Sequence, residues 1–223
     1  MARDTLTREQ IVGTAVELLD DEGLEGLNMR SLGKRLGAAA TAVYWHVKNK
    51  DDLVVLAGDH VWREIELPAI AADRWREAAV AMADGLYGML GRHPWLVQAL
   101  GSYLFHGPGK ARYDDHSLAV YEAAGFAAAD ADRAAGAVFT YVLGNAVGAS
   151  AQASLTRRLG RDGGDPQERF RETITRATEV ALQFPRLRAR VDGAAAGYNA
   201  APDNTYETGL QALLDGLAAR SDR

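Results

Sequence analysis

The sequence predicts an all-α protein, on three observations. Alanine and leucine are abundant, and no stretch sustains the one-in-two alternation of a half-buried strand. Apolar residues instead recur at three- and four-residue spacing, and residues that start and stop helices punctuate these runs. With 48% apolar residues over 223 positions, the chain has the material for one or two buried cores.

The elements follow in order. Thr7 with Gln10 three residues later forms a capping-box pattern, and Ile11, Ala15, Leu18 and Leu19 share a face until Gly23 stops the helix. Asn28 caps a short second helix whose Met29, Leu32 and Leu36 share a face, and Gly37 closes it. A third helix starts near Ala39 or Ala40 and ends around Lys48. A fourth carries Asp51 and Asp52 in its first turn, where acids suit the helix dipole, and Leu53, Leu56 and Val61 lead it toward Pro68. Beyond it the pattern predicts helices over 75–91, 95–105, 113–124, 130–159 and 167–184, with loops at 106–110, 159–166 and 192–203. Asn204 and Glu207 start a last helix with Tyr206, Leu210, Leu213, Leu214 and Leu217 on one face.

Charge narrows the function. The net charge is -5, yet residues 26–50 hold Arg30, Lys34, Arg35, Lys48 and Lys50 and no acid, which leaves -10 on the remainder. A compact basic element on an acidic body is the footprint of a small contact with phosphate, although a plain solvated basic face has the same composition. There are no cysteines, so disulfides and thiolate metal sites are excluded, and the start MARDTLTREQ lacks a signal-peptide core. A cytoplasmic protein is expected. Residues 134–156 are uncharged and long enough to cross a bilayer, but Asn145, Ser150, Gln152 and Ser154 interrupt them. A helix buried on most sides is expected there, with Gly136, Thr140, Gly144 and Gly148 letting another helix approach, and no membrane partner.

On a wheel of about 100° per residue, Ala40, Val43 and Val47 of the third helix cluster on one side, while Thr41, Trp45 and Lys48 lie opposite with Tyr44 on a flank. So short a helix must lean its apolar side on neighbours, which leaves the aromatic and basic side for a partner. Short helix, glycine turn and short helix under a +5 charge fit a helix-turn-helix in the major groove of duplex DNA.

The stretch GLEGLNMRSLGKRLGAAATAVYWHVKNKDDLV, residues 23–54, closely resembles the DNA-binding domain of the TetR (tetracycline repressor) family, and YETGLQALLDGL at 206–217 resembles the final dimerisation helix of its tetracycline-repressor-like branch. The resemblance implies a homodimer whose subunit has a three-helix reading head, residues 1–52, and a larger ligand-binding and dimerisation domain, residues 53–223. It implies a transcriptional regulator, in the commoner case a repressor released from a palindromic operator by a small hydrophobic or aromatic effector. A ligand-independent or activating regulator is the alternative. By motif position, Tyr44 and Lys50 hold phosphates, Trp45, His46 and Lys48 share that surface, and Arg30 reaches a base edge, where its fork suits guanine. Trp45 has a second reading as a partly buried shelf under the first helix. Where tetracycline repressors open the third helix with Gln-Pro-Thr, this chain has Ala40, Thr41 and Ala42, so thymine-methyl contacts from Thr41 or Ala42 and a different operator are expected.

Tetracycline repressors hold a magnesium–drug chelate with a histidine and a glutamate. This chain has no carboxylate between Asp132 and Asp162, so that chelate is not expected, nor is any other metal or cofactor. Tyr103, Phe105, His106, Phe139, Tyr141 and Asn145 are the candidate pocket wall. Enzyme readings are weak. Asp114, Asp115 and His116 point apart on a helix, and GPGK at 107–110 lacks the glycine at Leu104 and the hydroxyl at Ala111 of a phosphate loop. An architectural DNA-bending protein would need a more basic chain.

Overall fold

The computed structural model describes residues 6–161, 165–191 and 205–221; within them the chain is helical, with no strand. It divides into two compact units, residues 1–150 with 217–223, and residues 151–216.

In the first unit, α1 (Arg8–Gly26) begins as the capping pattern requires: Thr7 and Gln10 exchange hydrogen bonds, and Gly23 departs from helical geometry at φ 71°. In α2 (Met29–Arg35) the Asn28 side chain accepts from the amides of Arg30 and Ser31, and Gly37 follows at φ 62° to turn the chain. The third helix is shorter than expected. α3 covers Ala40–Val43 alone, and the amides of His46 and Val47 both return to the Val43 carbonyl in a closing turn. The run Val43, Tyr44, Trp45, His46, Val47 is made of β-branched and aromatic residues, which lose side-chain freedom in a helix and do not extend a single turn. Asn49 then caps α4 (Lys50–Trp62) by accepting from the Asp52 amide.

These four helices share a core of Ile11, Ala15, Leu18, Leu19, Leu32, Val43, Val47, Leu53, Val54 and Ala57, all buried. α1 packs on both α2 and α4, and α2 packs on α3. Burial of a side chain such as Val43 or Leu53 is worth ~1.5–3 kcal/mol, which is what holds one turn of α3 in place.

A 3₁₀ turn (Ala72–Arg74) leads into α5 (Trp75–Arg92), and α6 (Pro94–Ala99) packs on α1 and α5. α6 stops well before Phe105, where the amides of Ser102 and Tyr103 both close turns onto the Ala99 carbonyl. α7 (Pro108–Ala123) starts inside the expected 106–110 loop, since a proline at the first helical position is pre-set for a helix and loses no bond there. α8 (Ala128–Arg161) is the longest helix. Within 128–150 it is buried along one stripe, Ala131, Ala134, Val138, Val142, Ala146 and Ser150, rather than on most sides. Ser150 Oγ donates to the Pro94 carbonyl at 2.7 Å. On another face Gly136, Thr140, Gly144, Val147 and Gly148 are exposed, and a methyl group on any of those three glycines would meet nothing within 4 Å. Small residues make a close approach possible, but none of the described residues fills the space. By length and hydropathy alone this helix could cross a membrane, with 28% of its most apolar window buried.

In the second unit, Asp165 caps α9 (Pro166–Ala181), and α10 (Pro185–Val191), which the sequence pattern did not suggest, packs on it behind a second proline start. α11 (Thr205–Ser221) buries Leu210 and Leu214, and Leu213 is half-buried. The expected loop at 192–203 and the cap at Asn204 lie outside the described residues.

Candidate nucleic-acid interface and effector cavity

The buried side of the α3 segment is Val43 and Val47, 0% and 2% exposed, which leaves its other side to solvent. Trp45 is 88% exposed and Tyr44 55%, so Trp45 is no shelf under α1. Arg30, Thr41, His46 and Lys48 are exposed and Ala42 is half-buried. An indole held in water by a four-residue helix gains nothing from the fold of its own chain. Among the five cations of 26–50, Arg35 pairs with Asp21 of α1 at 2.8 Å, and Lys50 Nζ donates to the Leu24 carbonyl at 2.7 Å. Lys50 therefore stitches the start of α4 to the end of α1 with one of its three ammonium donors.

Three polar knots join α1 and α4 to the helices that follow. Tyr103 Oη donates to Asp51 Oδ1 at 3.1 Å. Asp59 of α4, 4% exposed, accepts from the Lys110 amide in the first turn of α7 at 3.0 Å and from Arg63 Nη2 at 3.3 Å. The third knot centres on His93, between Asp20 and Glu64. Their long links run from 29 to 73 positions along the chain, so no local pattern announced them.

Behind the second knot, Trp62, Tyr113 and Phe139 form an aromatic cluster, with centroids 4.9 Å apart for Trp62–Tyr113 and 6.3 Å for Trp62–Phe139. Lys110 Nζ stands 5.0 Å from the Trp62 ring and 5.6 Å from Phe139, and pairs with Asp114 at 2.6 Å. Trp62 is fully buried and its Nε1 has no hydrogen-bond partner among the described residues. Burial pushes the Tyr113 hydroxyl far above its usual range, so it remains a proton donor. Beside this cluster α7 and α8 flank an open cleft of about 310 Å³, walled by Lys110, Tyr113, Asp114, Leu118, Asp132 and Phe139 among others.

Of the six residues the sequence suggested for a pocket, Phe139 alone lines that cleft. Tyr103 and Phe105 meet as tilted rings with centroids 6.3 Å apart, and Phe105 packs against Gly58 of α4. His106 is exposed with Nδ1 near the Leu104 carbonyl, and Asn145 donates back to Tyr141 on its own helix. His116 Nε2 faces the Pro68 carbonyl at 2.8 Å while Asp114 is taken by Lys110, so these two do not converge.

Residues 11–57 match the family model of bacterial regulatory proteins of the tetR family, and residues 67–221 match that of the tetracyclin repressor-like C-terminal domain. The chain belongs to the TetR family. An HTH-type transcriptional regulator of Saccharopolyspora erythraea is 41% identical over 140 residues, covering 63% of this chain and 59% of that one, under two thirds of its length. The HTH-type transcriptional repressor DrrR1 of Streptomyces coeruleorubidus is 32% identical over 224 residues, covering 96% and 78%. The crystal structure of ActR from Streptomyces coelicolor in complex with actinorhodin superposes with a TM-score of 0.75 at 26% identity, covering 97% of each chain. The TetR-family reading made from residues 23–54 and 206–217 therefore holds, and the described residues bear out the all-helical class.

Proposed function

We propose that this TetR-family protein is a dimeric, cytoplasmic, non-enzymatic repressor that grips a palindromic DNA operator and is released by a flat aromatic effector. The observation that carries the reading is the exposed aromatic and basic surface of 41–48, held out by a core that buries only Val43 and Val47. In this reading the head occupies residues 1–52 and the effector and dimer functions 53–223. Tyr44, Lys48 and Lys50 hold phosphates, with Trp45 and His46 on the same surface, while Arg30, Thr41 and Ala42 face base edges. Lys50 reaches a phosphate with the donors that Leu24 leaves over.

The open face Gly136, Thr140, Gly144 and Gly148 is where a second copy would pack, together with α11. Dimers present two heads, and a helical turn of ~34–36 Å between half-sites fixes the spacing they must keep. An effector weakens operator binding by as much as it prefers another spacing, no more. The cleft lined by Tyr113 and Phe139 is the place for it, with two aromatic side chains and the charged Lys110 and Asp114 on its wall. ActR, which holds actinorhodin, and the repressor DrrR1 support both the effector class and the sign of regulation.

Selection of duplexes from a random pool tests this, run with the wild type and with Tyr44→Ala/Lys50→Ala. Enrichment of one palindrome by the wild type alone is expected. A folded dimer that enriches nothing, with no effector carried through purification, would refute it.

A further inference from the structure

Both ring nitrogens of His93 face carboxylates. Nδ1 lies 2.8 Å from Asp20 Oδ1 on α1, and Nε2 lies 3.0 Å from Glu64 Oε1, two residues past α4. The ring is 8% exposed. The other charged and polar groups of the site are accounted for: Asp20 Oδ1 also accepts from Trp95 Nε1 of α6 at 2.8 Å, and Glu64 Oε2 accepts from Arg92 Nε and Nη2 of α5 at 3.1 and 2.8 Å.

Ionised carboxylates only accept, and a neutral imidazole has one N–H. Both contacts are therefore hydrogen bonds only when the ring carries two protons. Two positive groups, His93 and Arg92, then face two negative ones, Asp20 and Glu64. When the ring loses a proton, a lone pair on a buried ring is left against a carboxylate, which turns one of the two ties from attraction into repulsion.

We propose that His93 is a proton-controlled latch: charged, it pins α1 of the reading head to the α5–α6 corner and to the end of α4; neutral, it lets the head loosen and weakens its grip on operator DNA. The last clause rests on the operator reading above, and the first does not. The three anchor points belong to three separate segments, and α1 is the helix on which α2 packs. A head held in one orientation gives up less freedom on engaging DNA than one that swivels.

The direction in pH follows from the groups themselves. Burial disfavours the charged ring, but the hydrogen bonds and charges of Asp20 and Glu64 outweigh it and raise the His93 pKa above the usual 6.5. Burial likewise opposes the Glu64 charge, yet the Arg92 and His93 contacts hold its carboxyl below the usual 4.5. A raised histidine stabilises fully below 6.5 and loses that stabilisation as pH rises through its folded value. A lowered carboxyl stabilises above 4.5 and loses it as pH falls through its folded value. The latch is closed between them and opens on the alkaline side.

The test follows the full-length protein from about pH 6 to about pH 9. Histidine-labelled NMR reads the ring, hydrogen exchange reads the α1 amides, and anisotropy reads binding to the selected palindrome. His93→Gln assigns the resonance. Glu64→Gln is the companion variant, because its amide donates to a neutral ring while its oxygen still accepts from Arg92, closing the latch without a proton. We expect His93 to titrate above 6.5 in the wild type, the α1 protection factors (exchange corrected for its intrinsic base catalysis) and the operator affinity to fall across that titration, and both falls to flatten in Glu64→Gln. A ring that titrates at or below 6.5, or α1 protection factors with the same pH profile in wild type and Glu64→Gln, overturns the latch. A ring and α1 that respond as expected in a protein that binds no duplex at any pH would confirm the latch and overturn the operator reading instead.

Discussion

Asp59 makes the sharpest quantitative prediction. Its carboxylate caps the first turn of α7 from another helix, and it closes on two glycines. A methyl group on Gly107 would strike the Asp59 carboxyl group, and one on Gly109 would strike the Asp59 backbone carbonyl oxygen. Removing the carboxylate in Asp59→Ala forfeits the charge-assisted bond to the Lys110 amide, worth ~1.5–3 kcal/mol. The bond to Arg63 adds little, since that side chain is 57% exposed. Gly107→Ala carries two penalties: its φ of 147° and ψ of 172° belong to glycine, at ~1–3 kcal/mol, and the carboxylate is in the way. Gly109→Ala carries an overpacking penalty of ~1–3 kcal/mol against backbone that no side-chain rotation relieves. The two double variants must therefore differ. Asp59→Ala should partly rescue Gly107→Ala, leaving the pair at least ~0.5 kcal/mol less destabilised than the sum of the singles. Asp59→Ala should leave the Gly109→Ala penalty unrelieved, adding within ~0.5 kcal/mol. Urea unfolding at one fixed protein concentration measures all five, which holds any oligomer contribution constant. Rescue of Gly109→Ala, or strict additivity with Gly107→Ala, would refute the packing argument.

Three further outcomes are expected. Trp45→Ala should leave unfolding within ~0.5 kcal/mol of wild type, since the ring touches little, yet weaken operator binding in an anisotropy titration. Val43→Ala, two buried carbons smaller, should cost ~1.5 kcal/mol or more in urea unfolding and loosen the same surface from beneath. Gly144→Arg should give a folded monomer in sedimentation, because the glycine face of α8 is open in the single chain; a variant that stays dimeric would move the interface elsewhere.

What the sequence disclosed was local. Thr7 and Gln10, Asn28 and Gly37 act within a few residues of themselves, and each works as its type and spacing imply. The outward face of 41–48 was legible for the same reason, because period alone separates Val43 and Val47 from Thr41 and Trp45. The pocket wall was not. Whether Phe139 or Tyr141 meets a cavity depends on how α8 lies against α7, and nothing in a single helix records that. Lys110 read as part of a glycine loop because its partners, Trp62 and Asp59, are roughly fifty residues away. His93 gave no signal at all beyond its place before Pro94, since its meaning comes from Asp20, seventy-three positions earlier. The shortened α3 was a misjudged boundary, where a β-branched and aromatic run ended a helix that the wheel had continued.

The placing of the four tryptophans gives the molecule its own optical reporter. Trp62 and Trp95 are sealed in the interior and Trp75 is partly covered, which leaves Trp45 as the indole that water-borne quenchers reach freely. Light from that ring, red-shifted and open to iodide, should dim or shift when a duplex covers it, while emission from the interior stays as it was. A ligand settling beside Trp62 would instead alter the interior emission. One unlabelled sample would thus register occupancy at both sites as separate changes of colour.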